Sequence, residues 1–91
     1  MRAAAENLTP VTLELGGKSP ALVSRHYPLA DAAKRVLHGK ATNCGQICVA
    51  PDYALVPKEQ VNQFAEECKK NFTAMYGSNI SNNSHYTSIV N

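Results

Sequence analysis

No apolar run in the 91-residue chain is longer than four. That excludes a membrane-spanning helix and the apolar core of a secretory signal peptide. Charge of one sign is also missing: nine basic side chains against seven acidic ones give +2 at pH 7, and the basic ones are scattered. A nucleic-acid-binding arm and a polybasic membrane patch are excluded. Cysteine is scarce, at three residues. An odd number with no export signal does not build a disulfide framework. Cys44 and Cys48 lie four apart in a glycine-containing stretch, and no His pair stands at metal-site spacing, so no metal site is expected. These absences predict an intracellular, reduced, cytoplasmic protein. The Asn-x-Ser/Thr sequons at Asn7, Asn71, Asn79 and Asn82 are what an Asn- and Ser-rich sequence produces by chance.

What is present has a globular composition, with 44% hydrophobic and 18% charged residues. The length allows one domain at most, and a chain of this size is marginal alone because it buries only about 60–65% of its unfolded surface. Residues 1–8 predict the last turns of a helix, stopped by Thr9-Pro10. Val11, Leu13 and Leu15 alternate with Thr12 and Glu14, which predicts a short one-sided strand over 11–15, broken by Gly16-Gly17. Ala21–Val23 predicts a second strand. Asp31 is a candidate N-cap for a helix over 32–41 with a stripe of Ala33, Val36 and Leu37. Gly39 inside that helix calls for a packing or functional reason. A loop over 42–46 and an apolar 47–50 lead through Pro51-Asp52 to a third strand, 53–56. The clearest element is a helix over 58–76. Val61, Phe64, Ala65, Cys68, Phe72, Met75 and Tyr76 share one face, Glu66 and Lys70 form an i,i+4 pair, and Gly77 ends the helix. Residues 78–88 predict a surface loop. Strands alternating with helices give an α/β fold class.

Two residues carry candidate chemistry. Glu14 stands at a strand end beside paired glycines, where a carboxylate can serve as a general base; a solvated strand glutamate is the plain alternative. Cys48 follows Gly45 and Gln46 just before a turn, a setting in which a thiolate can become a nucleophile; a small buried apolar residue is the plain alternative. Cys44 is a weaker candidate, and Cys68 is expected in the core. His26, His38 and His85 form no dyad with a cysteine. Gly-Gly-Lys-Ser at 16–19 lacks the upstream glycine and the immediate helix of a phosphate loop, which excludes a nucleoside triphosphatase.

LTPVTLELGGKSP at 8–20 resembles the glutamate signature of aldehyde dehydrogenases, and NCGQICVAPDY at 43–53 resembles their cysteine signature with its Gly-Gln-x-Cys core. The order matches, and the 34-residue gap from Glu14 to Cys48 is similar to that of the class 3 and coniferyl aldehyde subgroup. The resemblance covers essentially the whole chain. It implies that Cys48 attacks an aldehyde to give a thiohemiacetal and then, after hydride loss to NAD or NADP, a thioester that Glu14 hydrolyses through an activated water. It also implies that the Leu15 and Gly16 backbone lies beside the nicotinamide and that the Cys48 N–H donates to the oxyanion. Cys44 is read as a neighbour of the nucleophile.

The resemblance further implies an internal piece of a longer, homo-oligomeric enzyme. Residues 1–16 would be the tail of the NAD(P)-binding domain and 17–91 the first part of the catalytic domain. The family's main cofactor loop, its oxyanion-hole asparagine and its Glu-x-Phe-Gly-Pro segment have no counterpart in these residues. The isolated chain is therefore expected to be inactive, because catalysis needs a preorganised constellation. Two other expectations stay open: a non-enzymatic module that binds a partner or self-associates through apolar surface, and a thiol-reactive redox protein using Cys48.

Overall fold

The computed structural model describes all 91 residues. Its elements run α1 (Arg2–Glu6), β1 (Ser19–Leu22), α2 (Leu29–Ala41), β2 (Pro51–Leu55) and α3 (Val61–Tyr76), with 3-10 turns at Thr42–Gly45, Lys58–Gln60 and Ile80–Asn82. The strands pair in parallel, with Pro20 opposite Tyr53, Ala21 opposite Ala54 and Leu22 opposite Leu55. A parallel pair needs a crossover, and α2 supplies it. The Val23 N–H extends the ladder to the Leu55 carbonyl at 3.0 Å. The α/β class predicted from alternation is therefore the one observed.

The chain forms a slab of 54 × 34 × 15 Å with a radius of gyration of 17.7 Å, against about 12 Å for a compact domain of this length. Burial follows that shape. The buried residues are Leu29, Ala32, Ala33 and Ala41 of α2, and Ala50 just before β2. Ala33 is 0% exposed, where α2 packs on α3 and β2. Gly39 has the packing reason the sequence called for: a Cβ there would stand 3.2 Å from the Pro51 ring.

Several expectations are corrected. Residues 11–15 form no strand; from Pro10 to Gly17 no backbone group has a backbone partner, and Val11, Leu13 and Leu15 are exposed. Their alternation fits a sheet face, but no neighbouring strand is there to receive it. Helix α2 starts two residues before Asp31, with Pro28 at its N-cap position, so Asp31 faces the helix dipole from inside the first turn. The strands lie about two residues earlier than the apolar runs indicated. No residue of α3 is fully buried, and Cys68 is half-buried rather than core, because α2 covers only one side of that helix. Its ion pairs fall at i,i+3, Glu66 with Lys69 at 2.7 Å and Glu67 with Lys70 at 3.9 Å, not between Glu66 and Lys70. An Arg25–Glu59 pair ties the end of β1 to the turn before α3.

Candidate active site

Gly16 and Gly17 follow Glu14 for different physical reasons. Gly16 has φ +147°, a backbone state that L side chains rarely adopt, and open space where a Cβ would sit. Gly17 is limited by space instead: a Cβ there would come within 2.5 Å of the Cys48 carbonyl oxygen. The Ser19 hydroxyl donates to that same oxygen at 3.4 Å. The backbone three residues beyond Glu14 therefore rests directly on the backbone of Cys48, although 31 positions separate Gly17 from Cys48 in sequence.

The two side chains are presented differently. Cys48 is an exposed, free thiol in a turn closed by the Ala50 N–H on the Ile47 carbonyl at 3.0 Å. Its own backbone N–H has no partner within the chain and is free to donate. Glu14 is exposed and makes neither a hydrogen bond nor an ion pair. Leu15 is 86% exposed. The surface depressions of the chain include neither Glu14 nor Cys48, so these residues alone enclose no substrate pocket. Nothing stands within 4 Å of the Gly16 Cβ position, so the backbone there is open to a neighbouring group. No group of three or more His, Cys, Asp or Glu side chains could hold a metal ion.

The loop before Cys48 is wound left-handed. Asn43 (φ 52°), Cys44 (φ 56°) and Gly45 (φ 75°) follow one another in the positive-φ region. For Asn43 and Cys44 this costs about 1–2 kcal/mol each, so other contacts must hold it. Gln46 is the centre of those contacts. Its Nε2 donates to the carbonyls of Asn43 (2.9 Å) and Ser88 (3.2 Å), and its Oε1 accepts from the Val90 N–H (3.0 Å). The Asn43 side chain donates back to the Gln46 carbonyl at 3.3 Å, and the Cys44 thiol donates to the Thr87 carbonyl at 2.6 Å.

Behind this loop Tyr86 packs edge to face on Phe72 and Tyr76, whose own rings are tilted at 56°, with Tyr76 and Tyr86 centroids 4.8 Å apart. A hydrogen bond with Cys44 and, secondly, burial raise Tyr86 above its ordinary 10.0. Burial and then the Glu67 charge raise Cys68 above its ordinary 9.0. Sequence reasoning gives Gly17 a part as a strand breaker beside Glu14, but gives no structural part to the Gln46 side chain or to the 87–90 backbone. Only the glycine pair left a signal; nothing in the sequence pairs Gln46 with a segment 42 to 44 residues away.

With this geometry established, a family model described as the aldehyde dehydrogenase family matches residues 1–91. The chain is 56% identical over 91 residues to a probable coniferyl aldehyde dehydrogenase of Pseudomonas aeruginosa, covering 100% of this chain and 19% of that protein. It is 47% identical over 91 residues to aldehyde dehydrogenase family 3 member A2 of Mus musculus, with the same coverage of 100% and 19%. The solved substrate-bound state of Staphylococcus aureus AldH matches with a TM-score of 0.82 at 44% identity, over 99% of this chain and 20% of that one. The chain thus spans about a fifth of the length of these relatives.

Proposed function

The chain belongs to the aldehyde dehydrogenase family, and from that premise we propose that it carries the nucleophile and the base for oxidising an aldehyde to a carboxylic acid with NAD or NADP. The observation that supports this most is the contact of Gly17 with the Cys48 carbonyl, which joins the two chemistry-bearing motifs. Cys48, as thiolate, attacks the aldehyde carbon, and the carbonyl oxygen takes the negative charge. The free Cys48 N–H donates to that oxygen. The Leu15 and Gly16 backbone would hold a nicotinamide cofactor, which when bound would supply the hydride acceptor for passing from thiohemiacetal to thioester. Glu14 then takes a proton from water as its oxygen attacks the thioester carbon. The carbon–sulfur bond breaks, the acid leaves and the Cys48 thiolate returns.

Residues 1–16 are assigned to the edge of the cofactor-binding domain and 17–91 to the catalytic domain. The names of the relatives make coniferyl aldehyde the first substrate to try. Three free thiols suit a reducing, cytoplasmic setting, and no helix is long and apolar enough to cross a membrane. The isolated chain is expected not to turn over, since no pocket surrounds Cys48. Grafting it in place of the matched segment of the Staphylococcus aureus enzyme tests the reading. NAD(P)H formation from an aldehyde is expected, with loss of at least ~10⁴-fold in Cys48→Ala and loss of thioester hydrolysis in Glu14→Gln. A Cys48→Ala graft that still oxidises aldehyde at the unsubstituted rate would falsify it. NADH production by the 91-residue chain alone would overturn the expected inactivity.

A second reading, self-association of the isolated chain, is favoured by the exposed Leu22, Val49 and Leu55 along and beside the two-stranded sheet. Light scattering tests it: a monomer at all concentrations would remove it.

A further inference from the structure

Gln46 does more than occupy a place two residues before the nucleophile. Its side-chain amide meets the 87–90 segment as a peptide group would, giving a proton to the Ser88 carbonyl and receiving one from the Val90 N–H. Those two groups are the carbonyl of one residue and the N–H of the next but one, the pair that a neighbouring strand would engage. The same Nε2 also reaches the Asn43 carbonyl, at the start of the left-handed turn. Gln46 is half-buried, and both ends of its amide are used. Cys44 adds a parallel tie to Thr87. The turn cannot hold two non-glycine residues at positive φ without such support.

We propose that Gln46 is a positioning residue for Cys48, acting as a side-chain staple that fixes the nucleophile's loop to the 87–90 segment. Its importance for chemistry rests on Cys48 being the nucleophile; the staple itself does not. Without it the left-handed turn relaxes, and the turn closed by the Ala50 N–H loosens with it. The staple also explains why a segment remote in sequence is drawn onto this loop.

The test is amide hydrogen exchange and NMR on the 91-residue chain. The Val90 amide is expected to exchange at least ~10-fold slower than an unstructured amide, and the Gln46 side-chain NH₂ should show slowed exchange with cross-peaks to Ser88 and Val90. Gln46→Ala should bring Val90 to within ~2-fold of the unstructured rate and speed Ala50 by ~3-fold, leaving the central α3 amides unchanged. Val90→Pro deletes the partner N–H without touching the glutamine. It should shift the Gln46 side-chain resonances and speed Ala50 equally, and the double variant should add nothing further. An unprotected Val90 amide in the parent chain, or an Ala50 rate indifferent to both substitutions, overturns the proposal. Equal loss of protection throughout α3 in Gln46→Ala also overturns it, since that marks general unfolding. None of these readouts involves turnover. An inactive graft would therefore count against the proposed reaction and leave the staple standing.

Discussion

The stretch carrying Glu14 and the loop carrying Cys48 are both at the surface, yet they are ordered in opposite ways. From Pro10 to Gly17 the backbone finds no backbone partner, and the Glu14 carboxylate makes no hydrogen bond or ion pair. The Cys48 loop is short, backed by Ala41 and Ala50 in the buried core, and tied by Gln46 and Cys44 to the chain beyond. The Cys48 loop thus brings its own support. The Glu14 stretch is held only beyond its glycines, where Gly17 rests on the Cys48 carbonyl and the Ser19 hydroxyl donates to it. A thiol must present sulfur and N–H together to one carbon, which requires a fixed backbone. A carboxylate acting through water tolerates more freedom until the surrounding groups close on it.

That contrast can be broken most sharply at its joint. Gly17→Ala places a methyl 2.5 Å from the Cys48 carbonyl and should destabilise the chain by about 3 kcal/mol, seen as a lower urea midpoint. Gly16→Ala meets no atoms and carries only backbone strain, about 1 kcal/mol; equal effects at the two positions would deny the contact. Next in size is Phe72→Ala, which removes the ring that packs on both Tyr76 and Tyr86. A loss of about 2 kcal/mol is expected for this half-buried side chain, with faster exchange in the 80s segment and none at Glu14.

A smaller effect is set by pH. Cys68 and Tyr86 are acids whose values are raised in the fold from 9.0 and 10.0, so the folded chain keeps protons that the unfolded chain has released. Their contribution is complete below pH 9.0 and is lost as pH rises through the raised values; a thermal melt that strengthens over that range contradicts it. Smallest of all is Glu14→Gln, which should leave stability within about 0.5 kcal/mol, because the carboxylate has no partner to lose.

The sequence made the long helix legible because its apolar spacing persists over the 16 residues of α3 and Gly77 stops it. It also made the two motifs legible, since their residue types are unusual and contiguous. It misled at 11–15, where alternation marks a face prepared for a sheet but cannot say whether a partner strand is present. It misled on burial along α3 for a similar reason: periodicity names the apolar side of a helix, not how much of that side is covered. Asp31 was read as a cap because its type suits one, whereas Pro28 starts the helix with its φ already set. The Gln46 contacts were invisible because glutamine has no pattern of its own and its partners are backbone groups.

Three consecutive residues of mirror-image twist, Asn43 to Gly45, lie in the loop ahead of Cys48. Between that twist and the ordinary one lies a band of φ closed by steric overlap, so small displacements cannot carry the loop from one to the other. Asn43 and Cys44 therefore hold the loop ahead of Cys48 in one discrete backbone conformation.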